Sequence, residues 1–365
     1  AMAAGEGMTF TPVEIQGDDL LFLQYTGGTT GLSKGAALTH RNLVSNINQL
    51  TAILQDKLRE SEEVVITALP LYHIFALTVN CLTFFSKGGR NVLITNPRDM
   101  PAFVAELANW KFSVITGVNT LFNGLLHTPG FDELDFSNLR LVAGGGTAIQ
   151  EAISNKWCEV TGLHITEGYG LSETSPVVTF NVSGPEEFTA TIGIPVPSTD
   201  VSLRDEDGNK VKQGEPGELC VKGPQVMQEY WRKPNETAAV TTNDGYFRTG
   251  DVALMDAEGR FKIVDRIKDM ILVSGFNVYP NEIEAVVANL DGVLEAACIG
   301  IPDERTDEAV KLFVVKSPGK NISAEDVITF CRDNLTAYKV PKHIAFINEL
   351  PKSAVGKILR RELRD

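Results

Sequence analysis

Short apolar strand-like runs alternate with longer helix-like segments over residues 18–180, and this alternation constrains the fold more than any other feature of the chain. A helix between two strands carries the chain back across a sheet, so the strands run parallel and the helices cover the sheet's faces. The strand-like runs are 20–25, 64–68, 91–95, 112–116, 139–142 and 164–167. The helix-like segments are 39–54, with Thr39 as N-cap, 74–85, 101–110 and 149–160. The pattern predicts an α/β domain built on a mostly parallel sheet.

The helical period disappears over residues 191–265, where short strand-like runs are separated by turn sequences. The turns are Asp207-Gly208-Asn209, Gly214-Glu215-Pro216-Gly217 and Ala257-Glu258-Gly259. Turn chemistry at this spacing is typical of antiparallel strands joined by short loops. This part of the chain is therefore predicted to be a small antiparallel β subdomain.

The pattern changes again after Lys268. In chain order it indicates a ribbon at 270–279, a helix at 281–290, strands at 296–301 and 310–315, a helix from its cap Ser323 to Leu335, and a short basic helix after Gly356-Lys357. About 100 residues is an ordinary size for an independent domain, and we expect an α+β domain here. The predicted division of the chain is 1–190, 191–267 and 268–365.

Composition excludes several classes of protein. Hydrophobic residues make up 43% of the chain and charged residues 22%, as in globular domains. The net charge of −14 argues against nucleic acid as a partner, because phosphate backbones require clustered Lys and Arg. The five cysteines are scattered without a CxxC pair, which disfavours a disulfide framework or a zinc site and fits a reducing cytosol. The longest apolar run, 74–85, is too short to span a bilayer and predicts a buried helix.

A loop rich in glycine and hydroxyl groups follows the first strand-like run. Glycines let backbone N–H groups approach a polyanion, hydroxyls donate further hydrogen bonds, and a lysine adds charge. The loop is not a GxxxxGK[ST] motif, since Ser33 precedes Lys34 and Gly35 follows it. A flexible surface loop is the alternative reading. The candidate phosphate-binding residues are Thr26, Gly27, Gly28, Thr29, Thr30, Gly31 and Lys34.

A second glycine cluster, Gly144-Gly145-Gly146, follows the strand-like run 139–142. It does not fit GxGxxG, because Ile149 stands where the third glycine should be, so a dinucleotide site is disfavoured. The backbone groups of Gly145 and Gly146 remain candidates for contact with the edge of a single nucleotide.

Five motifs, in order along the chain, resemble those of the adenylate-forming enzymes, a superfamily that includes acyl-CoA synthetases, luciferases and the adenylation domains of peptide synthetases. They are the glycine-rich loop 25–35, the strings 169–174 and 246–251, the string 265–269 continuing to 274–276, and Gly356-Lys357. Segments 94–99, 116–122, 221–227 and 268–282 are similar to bacterial long-chain fatty-acid–CoA ligases. The resemblance identifies residues 1–190 as the remainder of a large adenylation domain.

The resemblance implies a role in nucleotide binding for residues whose types also have ordinary structural readings. The residues implied to contact the nucleotide are Gly145, Gly146, Gly168, Tyr169, Gly170, Ser172, Asp251 and Arg266. Tyr169 would face adenine and Asp251 would accept the ribose hydroxyls, whereas a packed core tyrosine and a surface ion pair are the alternatives. Glu173 and Thr26 would hold Mg²⁺ against phosphate oxygens, and the alternative for Glu173 is a helix cap.

Five further residues are implied to act in the reaction. His73 would border the acyl pocket and the path of CoA, although a lone histidine is more often a satisfied core residue. Lys357 would enter the site during adenylation and stabilise developing negative charge. Composition alone favours a solvated lysine. Lys268 would be the hinge about which the C-terminal domain rotates, and Ser274 with Gly275 would then line the pantetheine path.

The implied reaction converts a long-chain fatty acid and ATP into acyl-AMP and pyrophosphate, and then transfers the acyl group to CoA. Its implied cofactors are ATP, Mg²⁺ and coenzyme A. Two alternatives stay open: a ligase for a medium-chain or aryl acid, and a nucleotide-binding fragment without catalysis. The resemblance implies a cytoplasmic protein and leaves a homodimer and peripheral association with the inner membrane open. It also places a further N-terminal part before the phosphate loop, so we expect these 365 residues alone to have little or no ligase activity.

Overall fold

The structure is a computed structural model that describes residues 5–9, 11–26, 33–181, 188–353 and 356–364. Its strands are β1 (Leu20–Thr26), β2 (Lys34–Thr39), β3 (Val64–Thr67), β4 (Arg90–Leu93), β5 (Val114–Gly117), β6 (Leu141–Gly144), β7 (Thr166–Gly170), β8 (Val177–Phe180), β9 (Ile194–Pro195), β10 (Asp200–Arg204), β11 (Gly217–Lys222), β12 (Glu229–Tyr230), β13 (Phe247–Met255), β14 (Phe261–Arg266), β15 (Ile271–Val273), β16 (Phe276–Val278), β17 (Val293–Asp303), β18 (Asp307–Lys316) and β19 (His343–Phe346). Its helices are α1 (His40–Ile53), α2 (π-helical over Phe75–Leu82, then α-helical over Thr83–Ser86), α3 (Met100–Leu107), α4 (Asn119–Leu126), α5 (Glu151–Thr161), α6 (Pro234–Ala239), α7 (Pro280–Val287) and α8 (Ala324–Asn334). The predicted fold class, α/β with antiparallel parts and a C-terminal α+β region, is confirmed.

The largest sheet has seven strands in the order β4-β3-β5-β6-β7-β8-β9. The strands from β4 to β7 pair in parallel, and β8 and β9 extend the sheet antiparallel. Helices connect β3 to β4, β4 to β5, β5 to β6 and β6 to β7, as parallel pairing requires. The alternating pattern thus predicted this sheet correctly.

Side chains that alternate along the central strands divide the core into two layers. Ile66 and Ile115 pack with α3, α4 and α5 on one face. Their neighbours Val65 and Val114 pack with α1 and α2 on the other face. Successive residues of a strand point to opposite faces, so both faces of these strands are buried and their sequences read as continuous apolar runs.

The first strand does not join the parallel sheet. β1 pairs antiparallel with β2, and β12 adds to β2 to complete a three-stranded antiparallel sheet. The interpretation of 20–25 as part of the α/β alternation is therefore wrong. No helix separates β1 from β2 among the described residues, and a connection this short can join only antiparallel neighbours.

The apolar run 74–85 forms α2, although the first part of this helix is π-helical. Its buried Asn80 donates from the side-chain amide to the hydroxyls of Thr67 at 3.0 Å and Thr116 at 2.8 Å, which ties the helix to β3 and β5. Phe85 is 79% exposed. The prediction of a helix is confirmed, but the prediction that the whole run is buried is wrong, because the run is apolar at its outer end as well as on the side that packs on the sheet.

The small antiparallel sheet has the order β10-β11-β13-β14 and accounts for most of the predicted β subdomain. The expectation that residues 191–265 contain no helix is wrong, since Pro234 begins α6 at its first turn, a position that proline favours. A second helix that the sequence pattern did not indicate is α4, which follows β5.

The C-terminal sheet has the order β16-β15-β18-β17, with β19 added parallel to β18. Thr39 and Ser323 both form the predicted caps, each with a reciprocal capping box. The predicted basic helix at the end is a 3₁₀ turn, Arg360–Leu363. The boundaries at 190 and 267 stay a prediction. Within the described ranges, every helix is too short or too polar to cross a membrane.

Candidate active site

An open cleft of about 610 Å³ lies where β6 and β7 end and the C-terminal part of the chain approaches them. Residues 144–146 and 168–170 form its glycine-rich wall. His73 reaches it from the bend before α2, and Lys357 from the end of the chain. Its apolar lining includes Leu50, Ile74, Phe75, Val79, Val177 and Phe180. Ligands of parallel sheets bind at the carboxyl ends of strands, so this cleft is the candidate site.

Two of the glycines in the wall are required by their surroundings. A Cβ atom on Gly170 would lie 2.0 Å from the carbonyl oxygen of Pro176. Gly146 has a φ of +78°, and a Cβ there would lie 3.3 Å from Cε of Lys357. Gly146 therefore leaves room for the lysine, and the role predicted for Gly145 and Gly146 at a nucleotide edge stays a prediction.

Lys357 reaches the cleft from a hairpin in the C-terminal part of the chain. Lys352 and Ile358 pair across this hairpin, and the backbone N–H of Lys357 donates to the hydroxyl of Ser353 at 3.1 Å. Burial and the neighbouring Arg266 lower the pKa of the Lys357 ammonium, and two nearby carboxylates act in the opposite direction. The reading of Lys357 as a solvated lysine in a basic tail does not fit this placement.

The hairpin is docked against the start of α4 through the residue before the lysine. The hydroxyl of Thr120 approaches the carbonyl oxygen of Gly356 at 3.4 Å. A Cβ on Gly356, whose φ is +79°, would lie 2.8 Å from Oγ1 of Thr120 and 3.2 Å from Cγ2 of Val118. Only a glycine allows the hairpin to approach α4 this closely in its present backbone conformation.

Asp251, Tyr169 and Arg266 come together beside the cleft. The hydroxyl of Tyr169 donates to Oδ2 of Asp251 at 2.6 Å, and Nε of Arg266 donates to Oδ1 at 2.9 Å. Asp251 is 3% exposed, whereas the side chain of Arg266 is 42% exposed, so the pair joins a buried carboxylate to a partly exposed guanidinium. Burial and the carboxylate raise the pKa of Tyr169, which keeps its hydroxyl protonated as a donor. The arrangement leaves Tyr169 and Asp251 side by side, as one nucleoside would require.

Glu173 is buried beside the ends of β1 and β2, with 8% of its surface exposed. Its Oε1 accepts from the hydroxyl of Tyr230 at 2.7 Å, which is a different contact from the helix cap considered for it. Lys34 lies over the ring of Tyr230, 4.9 Å from its centroid, and pairs with Glu236. Sequence reasoning missed Tyr230, and no local pattern marks it, because the contact joins residues 57 apart in the chain.

The residues around Glu173 fit a magnesium ion shared with phosphate. In the part of the chain that the structure describes, no group of three or more His, Cys, Asp or Glu side chains could hold a metal ion by itself. Mg²⁺ commonly takes one or two protein carboxylates and completes its shell with phosphate oxygens and water. Glu173 would supply one carboxylate, and the sequence prediction adds Thr26, the last residue of β1.

His73 lies at the cleft with its ring held in place. Its Nδ1 accepts from the backbone N–H of Phe75 at 3.3 Å. Burial lowers the pKa of His73 to about 4, and the charge of Lys357 acts in the same direction. The ring is therefore neutral near pH 7 and does not add positive charge beside the lysine.

Three of the predicted residues lie outside the cleft. Lys268 occupies a 3₁₀ turn between β14 and β15, where burial and the charge of Arg266 lower its pKa to about 8. Ser274 and Gly275 form the exposed turn of the β15–β16 hairpin, with φ of 51° and 81°. Ser172, in contrast, lines the cleft and begins the 3₁₀ turn that carries Glu173. The structure thus brings Lys357 into the cleft while the turn predicted for the CoA path faces solvent.

Part of the predicted phosphate loop cannot be placed. Its two ends, Thr26 and Lys34, are paired across β1 and β2. The remaining predicted members lie outside the described residues: Gly27, Gly28, Thr29, Thr30 and Gly31.

Two family sequence patterns and several known proteins match this chain. The sequence pattern of the AMP-binding enzyme family matches residues 3–231, and that of the AMP-binding enzyme C-terminal domain matches residues 282–357. The long-chain-fatty-acid–CoA ligase of Escherichia coli O6:H1 is 55% identical over 365 residues, covering 100% of this chain and 65% of that protein. The long-chain-fatty-acid–CoA ligase of Yersinia pestis is 58% identical over 361 residues, covering 99% of this chain and 64% of that protein.

A solved structure shares the fold as well. ATP-bound MatB from Rhodopseudomonas palustris superposes with a TM-score of 0.89 at 32% identity, covering 99% of this chain and 71% of that chain. The chain spans slightly less than two thirds of the length of the curated ligases, 65% of the one from E. coli. The two matched patterns, the relatives and the superposition agree: this chain belongs to the AMP-binding enzyme family.

Proposed function

We propose that the protein to which this chain belongs couples a long-chain fatty acid to coenzyme A, with ATP as the activating substrate. The observation that carries the proposal is the position of Lys357. It lines the same cleft as Tyr169 and the glycine-rich strand ends, and the charges of Asp251 and Glu173 act on its ammonium. A half-buried lysine ammonium in an open cleft is a candidate group for contact with an anionic substrate. The identity of 55–58% to proteins named long-chain-fatty-acid–CoA ligases supports the same reaction.

In the first proposed step, a carboxylate oxygen of the acid attacks the α-phosphorus of ATP, the bond to the β-phosphate oxygen breaks, and pyrophosphate leaves. The ammonium of Lys357 stabilises the negative charge that builds on the α-phosphate. The ring of Tyr169 faces adenine, and Asp251 accepts the ribose hydroxyls. Glu173 and Thr26 would hold Mg²⁺, which would supply positive charge against the phosphate oxygens when bound.

In the second proposed step, the thiol sulfur of CoA attacks the acyl carbonyl carbon, the carbon–oxygen bond to AMP breaks, and the thiol proton passes to solvent. Lys357 fills part of the cleft in the arrangement described here, and Ser274 with Gly275 face solvent. We therefore propose that the C-terminal part turns about Lys268 between the steps, so that Lys357 leaves and the Ser274–Gly275 turn enters. Backbone angles at a few residues are enough for such a movement.

The acid is proposed to be aliphatic because of the cleft's lining. Ile74, Phe75 and Val79 from the start of α2 and Leu50 from α1 present aliphatic and aromatic surface next to the carboxylate position near Lys357. His73, neutral near pH 7, adds no charge that would attract a second carboxylate. An apolar wall of this kind suits an alkyl chain better than the ring substituents of a polar aryl acid.

The test is a substrate series with the full-length protein. ATP and CoA are supplied with straight-chain acids of increasing length and with an aryl acid such as ferulate, and pyrophosphate and acyl-CoA are measured separately. We expect both products with long-chain acids, in equal amounts. Preference for the aryl acid would overturn the substrate assignment, and nucleotide binding without pyrophosphate release would overturn the enzymatic assignment.

A further inference from the structure

Glu218 on β11 is a nearly buried carboxylate, 9% exposed, with both oxygens committed to the segment that leads to Asp251. Its Oε1 accepts from the backbone N–H of Gly250 at 3.1 Å. Its Oε2 accepts from Nε of Arg248 at 2.8 Å. Glu218 does not line the cleft, so its contacts act on the segment that carries the cleft's carboxylate.

That segment is an interruption in the pairing of β11 with β13. Glu218 is paired with Val252, yet Cys220 is paired with Arg248, so three residues of β13, 249–251, face the single residue Leu219. Bulges of this kind occur next to active sites, where they redirect a side chain. They also remove backbone N–H groups from the ladder, and such groups need other partners when buried.

Two side chains supply those partners. Glu218 takes the N–H of Gly250, whose φ of 73° lies in the left-handed region. The hydroxyl of Thr249 accepts from the N–H of Asp251 at 3.1 Å and donates to the carbonyl of Leu219 at 2.7 Å. On the side that faces β11, the backbone around Gly250 is therefore held by side-chain contacts, while Asp251 stays paired with Arg266 of β14 on the other side.

We propose that Glu218 is a positioning residue for ATP: it holds the bulge that directs the carboxylate of Asp251 at the ribose. This inference rests on the proposed function, in which Asp251 accepts the ribose hydroxyls. With the bulge in place, Asp251 meets Tyr169 at 2.6 Å and Arg266 at 2.9 Å. Without the Gly250 contact, a left-handed glycine is free to change conformation, and the carboxylate loses its fixed direction.

Arg248 provides a matched control. Its side chain is 43% exposed and touches Glu218 only on the oxygen that does not hold Gly250. Arg248→Gln removes the ion pair and leaves the Gly250 contact in place. Glu218→Gln keeps an amide oxygen for Gly250 and loses the charge. Glu218→Ala removes both contacts, so comparison of the three variants separates the positioning contact from the ion pair.

The experiment measures ATP and 2′-deoxy-ATP side by side with the full-length protein, by calorimetric binding and by pyrophosphate release with a long-chain acid. We expect Glu218→Ala to weaken the binding of ATP by about tenfold, which would appear mainly as a higher KM. Tenfold corresponds to the loss of one hydrogen bond to a charged group. Binding of 2′-deoxy-ATP should change much less, so the preference for ATP falls. Glu218→Gln and Arg248→Gln should retain most of that preference.

Equal losses for the two nucleotides would make Glu218 a merely structural residue and overturn the proposal. Thr249→Val removes the other side-chain contact of the bulge at nearly constant volume, and it should also reduce the preference for ATP over 2′-deoxy-ATP. This variant replaces Glu218→Ala in the test if Glu218→Ala does not fold. A wild-type protein that binds both nucleotides equally would refute the ribose role of Asp251 and this proposal with it. The binding measurement needs no turnover. It therefore still tests the role of Glu218 if the acid substrate proves to be a different one.

Discussion

Gly356→Ala should interfere with the docking of the Lys357 hairpin and with little else. The added Cβ would lie 2.8 Å from Oγ1 of Thr120 and 3.2 Å from Cγ2 of Val118. Both distances are below ordinary van der Waals contact, so the hairpin or α4 must shift. The substitution thus acts on the contact between the two parts of the chain that delivers Lys357 to the cleft.

The cost has two components with different consequences. An alanine held at the φ of +79° found here costs roughly 1–2 kcal/mol, wherever the hairpin lies. The clash with Thr120 and Val118 adds about 1–3 kcal/mol, the usual range for overpacking, and exists only when the hairpin is docked. The docked population should therefore fall by roughly 10- to 100-fold relative to undocked arrangements.

The assay separates the two half-reactions in the full-length protein. Acyl-AMP formation, followed as pyrophosphate release without CoA, should fall by roughly 10- to 100-fold. Thioester formation from supplied acyl-AMP should stay near the wild-type rate, because Lys357 is not used there. Gly319→Ala is the matched control: its φ is +74° and a Cβ there has no neighbour within 4 Å, so it tests backbone strain alone.

Relief of the clash gives a second readout. Gly356→Ala combined with Thr120→Ala removes the nearer of the two obstructing atoms and should recover part of the adenylation rate. An equal loss in both half-reactions, or a Gly319→Ala protein as impaired as Gly356→Ala, would show that the docked hairpin is not specific to adenylation and would refute the reasoning.

Three further outcomes are expected from the same site. Lys357→Ala should slow acyl-AMP formation by roughly 10²–10³ and spare transfer from supplied acyl-AMP, since one preorganised charged donor is lost; equal effects on both steps would contradict a lysine used once. Lys268→Pro should leave pyrophosphate release intact and abolish acyl-CoA formation, because proline fixes φ and restricts Ile267; normal acyl-CoA synthesis would exclude position 268 as the hinge. Glu173→Gln should raise the Mg²⁺ concentration for half-maximal adenylation, and an unchanged Mg²⁺ titration would remove Glu173 from the metal site.

Features set by neighbouring residues could be predicted from the sequence. The caps at Thr39 and Ser323 depend on a side chain three residues away, and the parallel sheet follows from the regular alternation of strands and helices. That Tyr169 and Asp251 serve the same nucleoside is predicted only by the resemblance to a family. Their hydrogen bond spans 82 residues, and no local rule reports such a contact.

Features set by distant contacts could not be predicted. The three-stranded sheet contains β12, which pairs with β2 from about 190 residues further along the chain. The hydroxyl of Tyr230 and the carboxylate of Glu218 become informative only when Glu173 and Gly250 are placed beside them. The spacing of apolar residues also cannot distinguish a π-helix from an α-helix, because both bury an apolar side. The position of α2 on the sheet is instead tied to the buried side-chain amide of Asn80.

The π-helical turn of α2 bears on how insertions and deletions would act in this part of the gene. A π-helix closes its hydrogen bonds over five residues instead of four, so it accommodates one extra residue in a helix of the same span. Deleting a single residue within Phe75–Leu82 would let the segment return to α-helical bonding while both ends keep their places on the sheet. The cleft is lined from this helix by Ile74, Phe75 and Val79. The loss of a single codon here would therefore change the side chains that line the cleft while the fold is retained.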